Sequence, residues 1–92
     1  MNDKFVNVTP NGVNKYENVK ITRIDINYHT REGIALAFVH FSGEDMDYFK
    51  MFRCDGKDYI IHDGKKYVTE EDLNRLQVIL EREKIERMLD EI

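Results

Sequence analysis

The side chains of this 92-residue sequence that could perform nucleophilic catalysis are one cysteine, Cys54, and three histidines, His29, His40 and His62. A thiol becomes a nucleophile when a nearby cation or a helix N-terminus stabilises its thiolate. Cys54 and His62 lie on either side of a predicted hairpin turn and could form a Cys–His pair across it. The local sequence guarantees no activating cation except Arg53. We therefore expect a buried or idle thiol and no enzyme activity.

Metal and cofactor sites are not predicted either. The histidines do not have H-x-H or H-x-x-x-H spacing, which a compact metal site on one element would need. Two Asp-Gly-Lys tripeptides, at 55–57 and 63–65, lack the ligand spacing of a calcium loop. The sequence also contains no phosphate-binding loop and no G-x-G-x-x-G motif.

A nucleic-acid-binding strand is the alternative to a protein-binding function. Tyr48, Lys50 and Phe52 alternate along one predicted strand, so an aromatic, a cationic and an aromatic side chain share a face that could bind a single strand. Residues 37–41 also match the last five positions of the RNP1 pattern, but Ile34 and Ala35 replace its basic residue and glycine. The chain has a net charge of −4 and no basic cluster, which makes nucleic acid the less favoured partner.

The distribution of charge points to the C-terminal quarter as a distinct element. Residues 1–68 contain ten acidic and ten basic residues, whereas residues 69–92 contain eight acidic and four basic ones. No apolar run approaches the roughly 20 residues of a membrane span, and the N-terminal residues lack the apolar core of a signal peptide. We therefore expect a cytoplasmic protein that does not enter a membrane.

The hydrophobic pattern predicts an α+β fold of one domain, 1–92, in which an antiparallel meander of four to five strands precedes one long C-terminal helix. The N-terminal segment, 1–17, is predicted to contain a possible edge strand formed by Phe5, Val6 and Val8. The meander is expected over 18–68, with a bulge near Thr22-Arg23 because the apolar positions change face there. Its predicted strands cover residues 19–30, 34–41, 48–54, 59–62 and 66–68.

Glycine-containing dipeptides predict the turns of this meander. Asp55-Gly56 and Asp63-Gly64 are expected to close two successive hairpins, because glycine accepts the left-handed backbone conformation that such turns need. The run 34–41 is almost continuously apolar, which is typical of a central strand covered on both faces.

Residues 69–92 are predicted to form a helix, and its first residues show where it begins. Thr69 is a favourable N-cap, and Glu70, Glu71 and Asp72 place negative charge at the positive end of the helix dipole. No glycine or proline interrupts the segment that follows. Twenty-three residues span roughly 35 Å, which is as long as a domain of this size is wide.

This helix carries two apolar stripes that point in nearly opposite directions. At about 100° per residue, Leu73, Leu76 and Leu80 share one side and are expected to pack on the sheet. The second stripe consists of Val78, Ile85, Met88, Leu89 and Ile92. One sheet cannot cover both stripes, so the second is predicted to meet another chain. The alternatives are a kinked helix or an N-terminal segment that covers the second stripe with Phe5 and Val8.

These observations lead to an expected function of the interaction type. We expect a small, non-catalytic regulatory module that self-associates through its helix and docks on a larger protein. A short acidic chain with one cysteine and no catalytic set is typical of phage or mobile-element proteins that inhibit a host complex, as anti-defence proteins do.

Overall fold

Six strands and one helix make up the part of the chain that the computed structural model describes, residues 3–43 and 46–90. In chain order they are β1 (Asp3–Thr9), β2 (Gly12–His29), β3 (Ala35–Ser42), β4 (Asp47–Arg53), β5 (Tyr59–His62), β6 (Lys65–Tyr67) and α1 (Glu70–Asp90). All strand pairs are antiparallel, in the order β4-β3-β2-β1-β5-β6. The predicted α+β architecture is confirmed, with six strands instead of four or five.

Strand β2 belongs to both halves of the sheet. Its first part pairs with β1 and its second part with β3. Eighteen residues of straight strand would measure about 60 Å, yet the longest dimension of the molecule is 46 Å, so β2 must bend. The register shifts between Ile21 and Arg23, which confirms the predicted bulge, and again between Ile26 and Tyr28. The sequence did not predict this second shift.

The N-terminal strand lies inside the sheet, and its prediction as an edge strand was wrong. β1 pairs with β2 on one side and with β5 on the other, where Phe5 is opposite Ile60. Phe5 and Val6 are consequently buried. Because Phe5 is in the core, it cannot wrap over the exposed side of the helix.

The turn at Asp55-Gly56 does not close a hairpin, so the prediction of a hairpin there was wrong. It leads from β4 to β5, but these strands are not neighbours, because β5 pairs with β1. The Asp63-Gly64 turn does close the β5–β6 hairpin, with His62 opposite Lys65. Both of its residues have positive φ, 51° and 79°, as a two-residue hairpin turn requires.

Asp58 fixes the path between β4 and β5. This carboxylate is fully buried and accepts hydrogen bonds from the backbone N–H of Val8 (2.9 Å) and of Arg53 (2.8 Å). It also accepts one from the side-chain amide of Asn7 (3.0 Å), which donates to the carbonyl of Met51 as well. These bonds join β1 to β4, at opposite sides of β2 and β3. The sheet therefore curls towards a barrel that side-chain hydrogen bonds close at this point.

Strand β3 is central but is not covered on both faces as its sequence predicted. Its residues alternate between buried and half-buried positions along the whole strand. Ala37 and Val39 are buried in the core, whereas Phe38 and His40 face the other way. One helix can cover only one face of the sheet, which leaves the second face of β3 partly exposed.

Thr69 caps the N-terminus of α1, as the sequence predicted, and Asp72 makes the cap reciprocal. The Thr69 hydroxyl accepts a hydrogen bond from the Asp72 N–H (3.1 Å). In return, the Asp72 carboxylate accepts from the N–H of Thr69 (3.1 Å) and of Val68 (3.0 Å), and it also binds Arg75. This arrangement satisfies N–H groups that no helical carbonyl can reach.

The first half of α1 covers the concave face of the sheet. Leu73, Leu76 and Leu80 are buried, and the helix packs mainly on β2 and β6. The core that they complete contains Phe5, Val19, Ile21, Ile24, Ala37, Val39, Phe41, Phe52, Ile60 and Tyr67.

Asp58→Asn should destabilise the fold by about 2–4 kcal/mol, because the new amide would place N–H donors against the donors of Arg53 and Asn7. Urea unfolding followed by circular dichroism measures the change. The control Asp63→Asn, at an exposed turn where asparagine also tolerates positive φ, should remain within about 0.5 kcal/mol of wild type. Equal stability of the two variants would contradict the role given to Asp58.

Because of the helix cap, the free energy of unfolding should change with pH in the acid range. Hydrogen bonds from the N–H groups of Val68 and Thr69 lower the pKa of Asp72 from 3.8 to about 2. A lowered pKa stabilises the folded state above pH 3.8, and the stabilisation is lost as the pH falls towards 2. Asp72→Asn should therefore cost about 1 kcal/mol at pH 7 and progressively less below pH 4. Glu71→Gln, an exposed change in the same turn, is the control for thermal unfolding at each pH.

Candidate functional site

The second stripe of α1 lies on the side of the helix that faces away from the sheet. Its described members Val78, Ile85, Met88 and Leu89 have exposed fractions of 54–65%. Ile92, the last residue predicted for this surface, lies outside the described residues. We call these four side chains the helix stripe.

The helix stripe is exposed because it lies on the side of α1 that points away from the buried leucines Leu73, Leu76 and Leu80. Leu80 is also the last buried residue of the helix among those described, and residues 81–89 are exposed or half-buried.

The second apolar surface is a row of rings on the outer face of β2, β3 and β4. Tyr28 and Phe38 meet edge to face with 5.6 Å between ring centroids, and Phe38 meets Phe49 at 6.0 Å. His40 stacks on Phe49 at 5.8 Å. Tyr28, Phe49 and the adjacent Met51 are exposed. We call this surface the aromatic row.

Sequence reasoning did not find the aromatic row as a surface. Its position depends on the register shift between Ile26 and Tyr28, which turns Tyr28 away from the core. The sequence does contain one signal of it. Strands β3 and β4 carry large apolar side chains at both odd and even positions, which more than one covered face would require.

The residues predicted as a nucleic-acid face are only partly available, because Tyr48 and Lys50 are exposed but Phe52 is buried. Tyr48, Lys50 and Phe52 share the inward-facing side of β4, where Phe52 is fully buried. Tyr48 stacks on the buried Phe41, and the Lys50 ammonium lies over the ring of Tyr16. Phe52 is therefore unavailable to stack on a base.

Cys54 and His62 do not meet, so the Cys–His pair considered for catalysis is not formed. Burial and then the negative charges of Glu70, Asp55 and Asp58 raise the pKa of Cys54 to about 11. His62 instead binds Glu83, which lies 13 residues, or about 20 Å, further along the helix than Glu70.

Each of the three histidines contacts a carboxylate from another element. The ring of His29 on β2 lies 3.3 Å from Glu70 at the start of α1, and both side chains are largely exposed. His40 on β3 lies 3.1 Å from Asp25 on β2, which also binds Arg23. His62 lies between two carboxylates, Asp3 on β1 and Glu83 on α1. These contacts connect strands to strands or to the helix.

A groove of about 550 Å³ opens between the middle of β2 and the second half of α1. Both signs of charge line it, with Lys20, Arg23, Lys84 and Arg87 opposed by Asp25, Glu81 and Glu83. This mixture selects neither an anionic nor a cationic ligand.

Within residues 3–43 and 46–90, no three side chains of the metal-ligating types are grouped as a metal ion requires. No helix in the same part of the chain is long and apolar enough to cross a membrane. Comparison with protein-family models, with curated proteins and with solved structures finds no match to this chain.

The raised pKa of Cys54 should make its thiol slow to react in the folded protein. A rise of the thiol pKa from 9.0 to about 11 reduces the fraction of thiolate at pH 7 about a hundredfold. Iodoacetamide labelling followed by mass spectrometry should therefore be at least tens of times slower in buffer than in 8 M urea. Equal rates in the two conditions would contradict this description of the thiol.

Proposed function

We propose that this chain is a small, non-catalytic protein-interaction module that forms a homodimer through the helix stripe. The observation that carries the proposal is the exposure of four large apolar side chains along the side of α1 opposite its buried leucines. A helix that is apolar on two opposite sides is typical of a helix packed between two bodies. The sheet is one of these bodies, and the second copy is the other.

The charges beside the helix stripe favour a second copy as its occupant. At about 100° per residue, Arg82 and Glu86 lie along one edge of the stripe. Lys84 lies beside the other edge, and Glu81 lies within the stripe, between Met88 and Ile85. In an antiparallel helix pair each edge meets the same edge of the other copy running in the opposite direction. Arg82 of each copy then faces Glu86 of the other, which supports self-association over binding to an unrelated acidic or basic helix.

The aromatic row supports a further role in binding a larger protein. Exposed aromatic and methionine side chains are enriched at protein interfaces and uncommon as a group on the surface of a monomer. Arg23 is already paired with Asp25, and Arg53 with Asp55, so the rim of this face offers little free positive charge. A protein partner is therefore favoured over a nucleic acid, whose phosphates need basic residues.

Ile85→Glu should weaken self-association at least tenfold, because it places a charge in the centre of the apolar interface. Sedimentation equilibrium at micromolar to high micromolar concentration measures the dimer dissociation constant. The variant should retain its thermal stability as a monomer, since Ile85 is 57% exposed.

The matched control is Met51→Glu, which makes the same change at an exposed apolar residue of the aromatic row. It should leave the dimer dissociation constant unchanged. A wild-type protein that remains monomeric at high micromolar concentration would refute the dimer, and loss of the dimer in Met51→Glu alone would assign it to the sheet instead of the helix.

A further inference from the structure

The imidazole of His62 is held between two carboxylates that come from different elements. Its Nδ1 atom is 2.8 Å from Oδ2 of Asp3, and its Nε2 atom is 3.1 Å from Oε1 of Glu83. The side chains of His62 and Asp3 are 9% and 7% exposed, whereas that of Glu83 is 44% exposed. Asp3 also accepts a hydrogen bond from the N–H of Ile21 at 3.2 Å, which fixes it against β2.

This geometry needs a proton on both ring nitrogens. A neutral imidazole carries one N–H and can donate to only one carboxylate, whereas an imidazolium donates to both. Loss of one proton would leave a nitrogen lone pair facing a carboxylate oxygen. The observed arrangement is therefore that of the charged ring.

The two carboxylates differ in how easily they can move away from the His62 ring. Asp3 is buried and is held by the N–H of Ile21 as well as by His62. Glu83 is half-exposed and can turn into water at little cost. When the ring loses a proton, the N–H that remains should stay on Asp3, and Glu83 should be released.

We propose that His62 is a proton-controlled clamp that fastens the second half of α1 to the sheet when the ring is charged and releases it when the ring is neutral. The clamp acts where apolar packing has ended, because Leu80 is the last buried residue of α1 among those described. Beyond it, the bond from His62 to Glu83 connects the helix to β5. The inference does not depend on self-association and stands or falls separately from the proposed dimer.

The charged groups around the clamp give both of its states a partner. On β1 and α1 the groups that contact the ring are acidic, Asp3 and Glu83. Three exposed cations line the same groove as Glu83 and are available to it after release, namely Lys20 of β2 and Lys84 and Arg87 of α1. A fourth exposed cation, Lys65 of β6, is the cross-strand neighbour of His62. A freed Glu83 therefore does not remain without an ionic partner.

The interactions of His62 raise its pKa above the ordinary value for histidine. Burial acts to lower the pKa of His62, but hydrogen bonds to Glu83 and Asp3 and their negative charge outweigh it, so the pKa is raised above 6.5. A raised pKa in the folded state contributes stability that is fully present below pH 6.5. This stability is lost as the pH rises through the pKa of the folded protein.

The test is an NMR titration of wild-type protein between pH 5 and 9. The ring signals of His62 should titrate above pH 6.5. Amide hydrogen-exchange protection of residues 84–89, corrected for the intrinsic pH dependence of exchange, should fall with the same midpoint. This second measurement is made on Ile85→Glu, so that the proposed dimer does not contribute to protection. A titration of His62 at or below 6.5, or protection that does not change across this range, would overturn the clamp.

Glu83→Gln is the informative variant, because it removes the charge at a half-exposed position and should leave the fold intact. It should lower the pKa of His62 and abolish the pH dependence of protection in residues 84–89. Glu71→Gln makes the same change at an exposed position of the same helix and should alter neither quantity. Identical behaviour of the two variants would also overturn the proposal.

Discussion

The buried carboxylate of Asp58 is the constraint on which the shape of this protein depends. Strand β4 ends at one side of the sheet and β5 begins at the other, beside β1, so the connection must bring two distant strands together. Asp58 does this with hydrogen bonds from Val8, Arg53 and Asn7. Three donors compensate a buried carboxylate for its lost water, and they do so only when the sheet is curled. The curl in turn creates the concave face that the helix covers.

The curled sheet leaves two surfaces that its single helix cannot cover. The concave face is wide enough for the leucines of the first half of α1, and Leu80 marks the end of this packing. Beyond Leu80 the side chains of Ile85, Met88 and Leu89 are exposed. On the convex face, β3 and β4 expose the aromatic row, because no element among the described residues lies over it. Both surfaces are consequences of a chain with one helix and a six-stranded sheet.

Local patterns predicted the parts of the fold that local physics decides. The change of face between Ile21 and Ile24 requires an extra residue, and the bulge is there. Asp63-Gly64 and Thr69 act through their own backbone neighbours, so the turn and the cap could be predicted from sequence.

The prediction of a hairpin at Asp55-Gly56 was wrong because the pairing of strands depends on contacts between residues far apart in sequence. β5 can pair with β4 or with β1, and Asp58, 50 residues from Val8, decides between them. The same limit hid the burial of Phe52 and the exposure of Tyr28, which depend on which face the curl turns inward.

The histidines illustrate how a residue type that suggests catalysis can serve structure. His29 and His62 contact Glu70 and Glu83, so they hold the helix to the sheet at two points 13 residues apart. The two contacts are unequal. Both partners of the His29 pair are largely exposed, and water and salt reduce such an ion pair to a small contribution. The His62 ring is shielded and its charge is matched on two sides, so its loss of a proton is costly. The N-terminal end of α1 does not depend on its histidine, because the cap at Thr69 and the buried leucines already secure it. The other half of the helix has no such packing, and its attachment therefore depends on the state of one buried ring.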